Sequence, residues 1–343
     1  MRRAAAALAL GALVLLAGGR AHDRITTRVT WSGDIAPIVE RQCVGCHRPG
    51  GAAPMSLATY ADARPWARAM RAEVVARRMP VWHAARGIGQ FRNDRSLSPF
   101  EAMLIRAWAD GGAPEGGPRR SGLAEITTLA DTSVRLPRRA RPPAGETTTV
   151  EIPLRLPRDR WMTAWRFFPN DPAIIQADFA LAGGRPLASW VPPDTWIGLP
   201  EGSGALLSAD ATIVARLSHR SARLQQDFPV GLPALPPVLA LTTVGKRPRF
   251  TRESIELRCG TTAAPAVGWL VSVQPLVAPS GTAVGVALSY ADAPPIPVVR
   301  VRTFDANYRA TYRLRDPIAF RPGATFVVES GAADCAVRLD VIR

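Results

Sequence analysis

Four cysteines and four histidines are all that this 343-residue chain contains, and three of the eight fall together as Cys43-Val44-Gly45-Cys46-His47. C-x-x-C-H is the attachment pattern of c-type haem. Two thiols three positions apart at a helix end can reach both vinyl groups of one porphyrin as thioethers. The adjacent imidazole then falls under the iron as proximal ligand. A redox C-x-x-C that happens to precede a histidine is the competing reading, but no thioredoxin-like βαβ pattern surrounds it. A zinc site needs four ligands, and no second Cys/His pair lies nearby. For the sixth position, Met79 precedes Pro80 in a stiff, extended stretch after a helix, and His83 is the alternative. Met70 and Met103 fall on helical stripes that suit packing. Met55 reaches the iron only if its loop folds back tightly.

Short helices must position these groups. Gly33 to Gln42 reads as a helix with Ile35, Ile38 and Val39 on one side, delivering the motif at its C-terminal end. Arg64 to Arg78 reads as a second, with Trp66, Met70 and Val74 on one stripe. Pro99 to Asp110 is a third: Ser98 is the N-cap, Pro99 opens it, Phe100, Met103, Leu104 and Trp108 face inward, and Gly111-Gly112 end it.

The chain begins with Arg2 and Arg3, an apolar run from Ala4 to Ala17 and a small-x-small Gly19-Arg20-Ala21, the three parts of a secretory signal. An uncleaved anchor is the alternative. No later apolar stretch is long enough to span a bilayer, so no transmembrane segment is expected after cleavage. Cleavage removes three arginines from a formal charge of +15 and leaves +12. Export, and arginines scattered rather than clustered with aromatics, argue against nucleic acid as a partner. The expected location is the periplasm or another exported one.

Hydrophobic residues are 47% and charged residues 21%, enough to bury cores. Gly and Pro number 28 and 32, which favours short elements joined by turns. Residues 117–147 read as a linker. Beyond it, strand-like runs occur at Thr148 to Leu156, Ala173 to Leu181, Thr212 to Ser218, Gly268 to Pro275, Ala283 to Tyr290, Val298 to Phe304 and Ala324 to Ser330. The expected organisation is a signal peptide (1–21), a small all-α class I-like cytochrome c domain (28–116), the linker, and two antiparallel, jelly-roll-like β-sandwiches (148–248 and 249–343).

The stretch from Trp31 to Gly116 resembles the cytochrome c domain fused ahead of copper type II, ascorbate-dependent (peptidylglycine monooxygenase-like) domains in bacterial exported proteins. The resemblance rests on the haem motif followed by Arg48-Pro49-Gly50, Ala53-Pro54-Met55-Ser56-Leu57, Met79-Pro80-Val81-Trp82 and Trp108-Ala109-Asp110-Gly111-Gly112-Ala113. It implies Met79 as distal ligand; Val81 stands where the family usually has proline. Further on, Leu199-Pro200-Glu201-Gly202 resembles a segment before a family strand, and Phe304 to Leu314 resembles a strand pair of the closing domain.

The same resemblance implies two copper sites, built from a His-His pair and a third His in the first sandwich and from His-x-His and a Met in the second. Here the corresponding runs are Ala173-Ile174-Ile175-Gln176-Ala177-Asp178 and Val273-Gln274-Pro275-Leu276-Val277, and no Met follows Met162. Only His219 remains, near the third position, and one imidazole cannot build either site. It reads as a vestigial or adapted ligand, or as a surface or hydrogen-bonded strand-end histidine. Copper is therefore not expected, and one covalent haem is.

Cys259 and Cys335 bracket the second sandwich. In an oxidising compartment a disulfide between them is the default, with two buried thiols as the alternative. Asp194, Glu201 and Asp210 have no partner histidine and read as turn and capping residues. Trp161, Trp165, Trp190 and Trp196 suit a core more than a binding groove. Two functions follow. One is a one-electron carrier with a β scaffold that docks a periplasmic redox partner, the positive charge favouring an acidic one. The other is a copper monooxygenase-like oxidoreductase fed by the haem.

Overall fold

The computed structural model describes residues 25–118, 130–137, 145–194, 196–220 and 235–343; the signal segment lies outside them. The chain divides into two compact units. The smaller is formed by residues 25–38, 59–79 and 97–118, and the larger by residues 39–58, 80–96 and the described residues beyond 129.

The smaller unit is helical. A π-turn at Trp31–Ile35, with the Thr30 side chain accepting from Gly33 N at 3.2 Å, runs directly into α1 (Ala36–Gln42), which belongs to the larger unit from Val39 onward. Next come α2 (Tyr60–Ala63), α3 (Ala67–Val75) and α4 (Pro99–Asp110). Ser98 caps α4 in a reciprocal capping box with Glu101. Trp31 packs on Trp108 with ring centroids 5.7 Å apart, and the Trp108 indole donates to Pro114 O. Two side chains face the other way from expectation: Phe100 is 62% and Met103 53% exposed, while Ile105 and Trp108 are buried. On a helix turning about 100° per residue, Met103 lies about 140° from Trp108. The large tryptophan decides which face is buried. Trp66, likewise, lies outside the stripe of Met70 and Val74.

The larger unit is β. Its strands are β1 (Thr132–Arg135), β2 (Thr147–Pro153), β3 (Arg160–Phe168), β4 (Ile174–Leu181), β5 (Pro186–Trp190), β6 (Trp196–Gly198), β7 (Ser203–Leu207) and β8 (Thr212–His219), followed by β9 (Val238–Val244) and β10 (Phe250–Arg258). The remainder are β11 (Gly260–Ala263), β12 (Gly268–Val277), β13 (Val284–Tyr290), β14 (Ala293–Val301), β15 (Tyr312–Phe320), β16 (Thr325–Ser330) and β17 (Ala336–Ile342). Each of the seven strand-like runs read from the sequence overlaps a strand, the run from Val298 to Phe304 only as far as Val301. From Phe304 to Leu314, however, only Tyr312 onward is strand. Within the stretch read as linker, β1 pairs with β9.

The two halves of this unit share one sheet. A nine-stranded sheet runs β1-β9-β3-β7-β10-β17-β12-β15, with β6 also on β3. The join is a short parallel pairing of Ser203 and Gly204 with Phe250 and Thr251. A four-stranded sheet, β2-β8-β4-β5, supplies the second layer of the first half, and β11-β16-β13-β14 that of the second. Each half has its own core. Trp165, Phe167, Phe179 and Trp190 lie in the first, and Leu270, Phe320, Phe326 and Leu339 in the second. Cys259 and Cys335 are disulfide-bonded, with Cα atoms 5.3 Å apart.

The expected small all-α cytochrome c domain is therefore not what residues 28–116 form. Of the described residues 41% are strand and 14% helical, and the helices among them are short. Residues 80–96 contain no helix and pack into the second β core: Ala84 bridges to Val301, Phe91 bridges to Leu314, and Trp82 packs edge-on against Phe91 and Tyr312. The physical cause is burial. Trp82, Ala84 and Phe91 find an extensive apolar surface on the β core, and burying each large side chain favours that arrangement by about 1.5–3 kcal/mol.

Candidate functional site

The C-x-x-C-H motif continues the turn begun by α1. Val39 O accepts from Cys43 N at 2.8 Å and from Val44 N at 2.9 Å. Cys43 O then accepts from Cys46 N at 3.0 Å and His47 N at 2.9 Å. Helical spacing through the motif brings Cys43, Cys46 and His47 round to neighbouring positions, and buried Val44 anchors the turn. Residues 48–57 then fold back over it. Cys46 O accepts from Ala53 N at 3.1 Å and His47 O from Leu57 N at 2.9 Å, while Leu57 is buried. A Cβ at Gly51 would collide with the Cys46 carbonyl oxygen, so only glycine permits this return.

The loop also orients the imidazole. His47 Nδ1 lies 3.3 Å from Met55 O. With Nδ1 donating there, Nε2 carries the lone pair, which is the usual arrangement behind a metal-ligating histidine. Burial lowers the His47 pKa against the opposing effect of that backbone bond.

Both thiols are free and half-buried. Burial first, then the neighbouring Cys46, pushes the Cys43 thiol up to about 12. Burial likewise pushes Cys46 up to about 11, opposed by Arg95 and reinforced by Asp194. Thiol–disulfide exchange centres need a thiolate and therefore a lowered pKa; these thiols are shifted the other way. Cys43, Cys46 and the oriented imidazole of His47 are the groups that would hold a covalent haem.

Met79 belongs to the helical unit, just past α3, with Met79 N donating to Glu73 O at 3.3 Å and its side chain 41% exposed. The His83 ring instead packs edge-on against Tyr308, with centroids 5.9 Å apart, and burial lowers its pKa.

Nothing in the sequence pointed to the support under the motif. A Cβ at Gly45 would lie 2.5 Å from Pro193 Cβ and 2.7 Å from its Cγ, so the motif rests on the turn between β5 and β6. The next residue, Asp194, read from the sequence as a turn residue, is instead a buried bridge. Arg95 donates to its Oδ1 at 2.6 Å and Arg313 to its Oδ2 at 2.9 Å. Arg95 also donates to Pro192 O at 3.0 Å, and the Tyr308 hydroxyl to the same oxygen at 3.2 Å. The Trp190 indole donates to Asp194 O at 2.8 Å. Arg220, at the end of β8, donates to Ala52 O in the return loop.

The runs where copper ligands were sought hold a different network. Gln176 donates to Asp178 at 3.1 Å, and Asp178 also accepts from Ser189 at 2.6 Å and Arg309 at 2.8 Å. Gln274 donates to Arg309 O at 2.9 Å and accepts from Arg338 at 3.1 Å, which also donates to Ser189 at 3.2 Å. These side chains tie β4 and β5 to β12 and β17. His219 ends β8 and is buried rather than at the surface. Among the described residues no group of three or more His, Cys, Asp or Glu could hold a metal ion. Trp165 and Trp190 are core residues of the first half. The chain matches no protein-family model and no curated protein sequence.

Proposed function

We propose that this protein is an exported one-electron carrier holding one covalent haem through Cys43 and Cys46, with His47 as proximal ligand, and that its β unit is a docking platform. The observation that carries the reading is the turn Val39–His47 with its return loop: two thiols on one turn, and an imidazole whose Nδ1 is directed at Met55 O. When bound, haem supplies a single iron that cycles between ferric and ferrous states. The chain's own groups bind it, orient the imidazole and shield the thioether side through buried Val44 and Leu57. The Cys259–Cys335 disulfide supports export, since such bonds persist in oxidising compartments. A mature charge of +12 favours an acidic redox partner.

The test is expression with a c-type maturation system, followed by denaturing electrophoresis with haem stain, intact mass and metal analysis. One haem per chain, lost in Cys43→Ser/Cys46→Ser, is expected. Two alkylatable thiols in protein matured this way would overturn the reading, and stoichiometric, tightly held copper would overturn the platform role in favour of a copper oxidoreductase. The ferric spectrum assigns the sixth ligand. A far-red charge-transfer band abolished by Met79→Ala supports Met79; its absence from the wild type moves the assignment to His83.

A further inference from the structure

We propose that Asp194, held between Arg95 and Arg313, is a positioning residue that sets the reduction potential of the haem attached at Cys43 and Cys46; this rests on the haem reading above. Four separate segments converge on the turn that supports the motif: residues 80–96 through Arg95, β5 through Trp190, the loop after β14 through Tyr308, and β15 through Arg313. Their contacts surround Pro192–Asp194, and Pro193 is the residue against which Gly45 packs. The turn is therefore both a mechanical seat for the motif and a site of fixed charge beside it.

The charges are sheltered. Side-chain exposure is 3% for Asp194, 14% for Arg95 and 17% for Arg313, so salt and water screen them far less than surface ions. Asp194 directly follows Pro193, on which Gly45 of the motif packs, so the three charges lie beside the motif. Two guanidinium groups and one carboxylate leave a net charge of +1 at the seat. A one-electron donor reducing the ferric site adds negative charge there. The arginines favour that electron, and the carboxylate opposes it while holding the arginines in place.

The experiment is potentiometric titration of haem-loaded, full-length protein. Asp194→Asn is expected to raise the midpoint potential and Arg95→Leu to lower it. Each shift should be on the order of tenfold in the ferrous-to-ferric ratio at fixed ambient potential, about 59 mV. Arg95→Lys, which keeps the charge, should restore most of the wild-type value. Should Asp194→Asn fail to fold, the Arg95 pair carries the test alone. Potentials that do not move, or that fall in both charge-changing variants, overturn the proposal, because disruption of the seat alone predicts shifts that do not follow the sign of the charge. Absence of covalent haem from the wild type would instead defeat the underlying reading.

Discussion

Gly45→Ala probes the seat of the motif directly. The new Cβ would sit 2.5 Å from Pro193 Cβ and 2.7 Å from its Cγ, where carbon atoms prefer about 3.5–4.0 Å. The motif or the turn must therefore move by roughly 1 Å. Neither neighbour is the far end of a flexible side chain, since one is a ring and the other a hydrogen-bonded turn. Overpacking of this kind costs about 1–3 kcal/mol, offset by about 0.4–1 kcal/mol from the less flexible unfolded chain. A net destabilisation of about 0.5–2 kcal/mol follows. Urea unfolding followed through the tryptophans measures it, with Gly198→Ala as control, since a Cβ there meets nothing within 4 Å. The control should be neutral or slightly more stable than wild type. In the double variant Gly45→Ala/Pro193→Gly, the clash is relieved and the two effects should be less than additive. A Gly45→Ala protein as stable as the control would refute the packing of the motif on Pro193.

Asp340 offers a test of the β unit's buried charge. It accepts from Arg252 at 2.7 Å, Ser254 at 2.6 Å and Ser272 at 2.7 Å. Burial pushes its pKa up, but Arg252 and the two hydroxyls outweigh burial and hold it below the ordinary aspartate value. The resulting stability is fully present above the unfolded pKa of about 3.9 and is lost as pH falls through the lower folded value. Asp340→Asn should cost about 3–5 kcal/mol at neutral pH by leaving Arg252 poorly paired, and should flatten the acid limb of stability against pH. A cost under about 1 kcal/mol with an unchanged acid limb would contradict this. The Cys259–Cys335 bond joins residues 76 apart, so in the chain-entropy description Cys259→Ala/Cys335→Ala loses about 4.5 kcal/mol. An unchanged urea midpoint in that variant would exclude the bond as a source of stability.

Local patterns were legible in the sequence. The spacing of Cys43, Cys46 and His47, the Ser98 cap with Pro99 behind it and the alternating strands follow from chemistry within a few residues, and the pairing of Cys259 with Cys335 from their being the two cysteines left outside the motif. Other features were not. That Trp82, Ala84 and Phe91 join a β core rather than a helical domain depends on apolar surface more than two hundred residues away. The single sheet shared by both halves hinges on two parallel pairs, Phe250–Ser203 and Thr251–Gly204, too few to leave a pattern. Phe100 and Met103 turn outward because Trp108 takes the interior.

The division is clearest around the motif itself. The sequence alone determined the spacing of two thiols and an imidazole, the groups that would hold the proposed haem, because their chemistry is set by residue type and position. Only the tertiary structure decided what surrounds them: Met55 O behind the imidazole, Pro193 against Gly45, and Asp194 between two arginines. Asp194 in a Pro-Pro-Asp turn has no local mark of that role. Its two partners come from positions 95 and 313, and a charge becomes influential only when folding removes the water that would screen it.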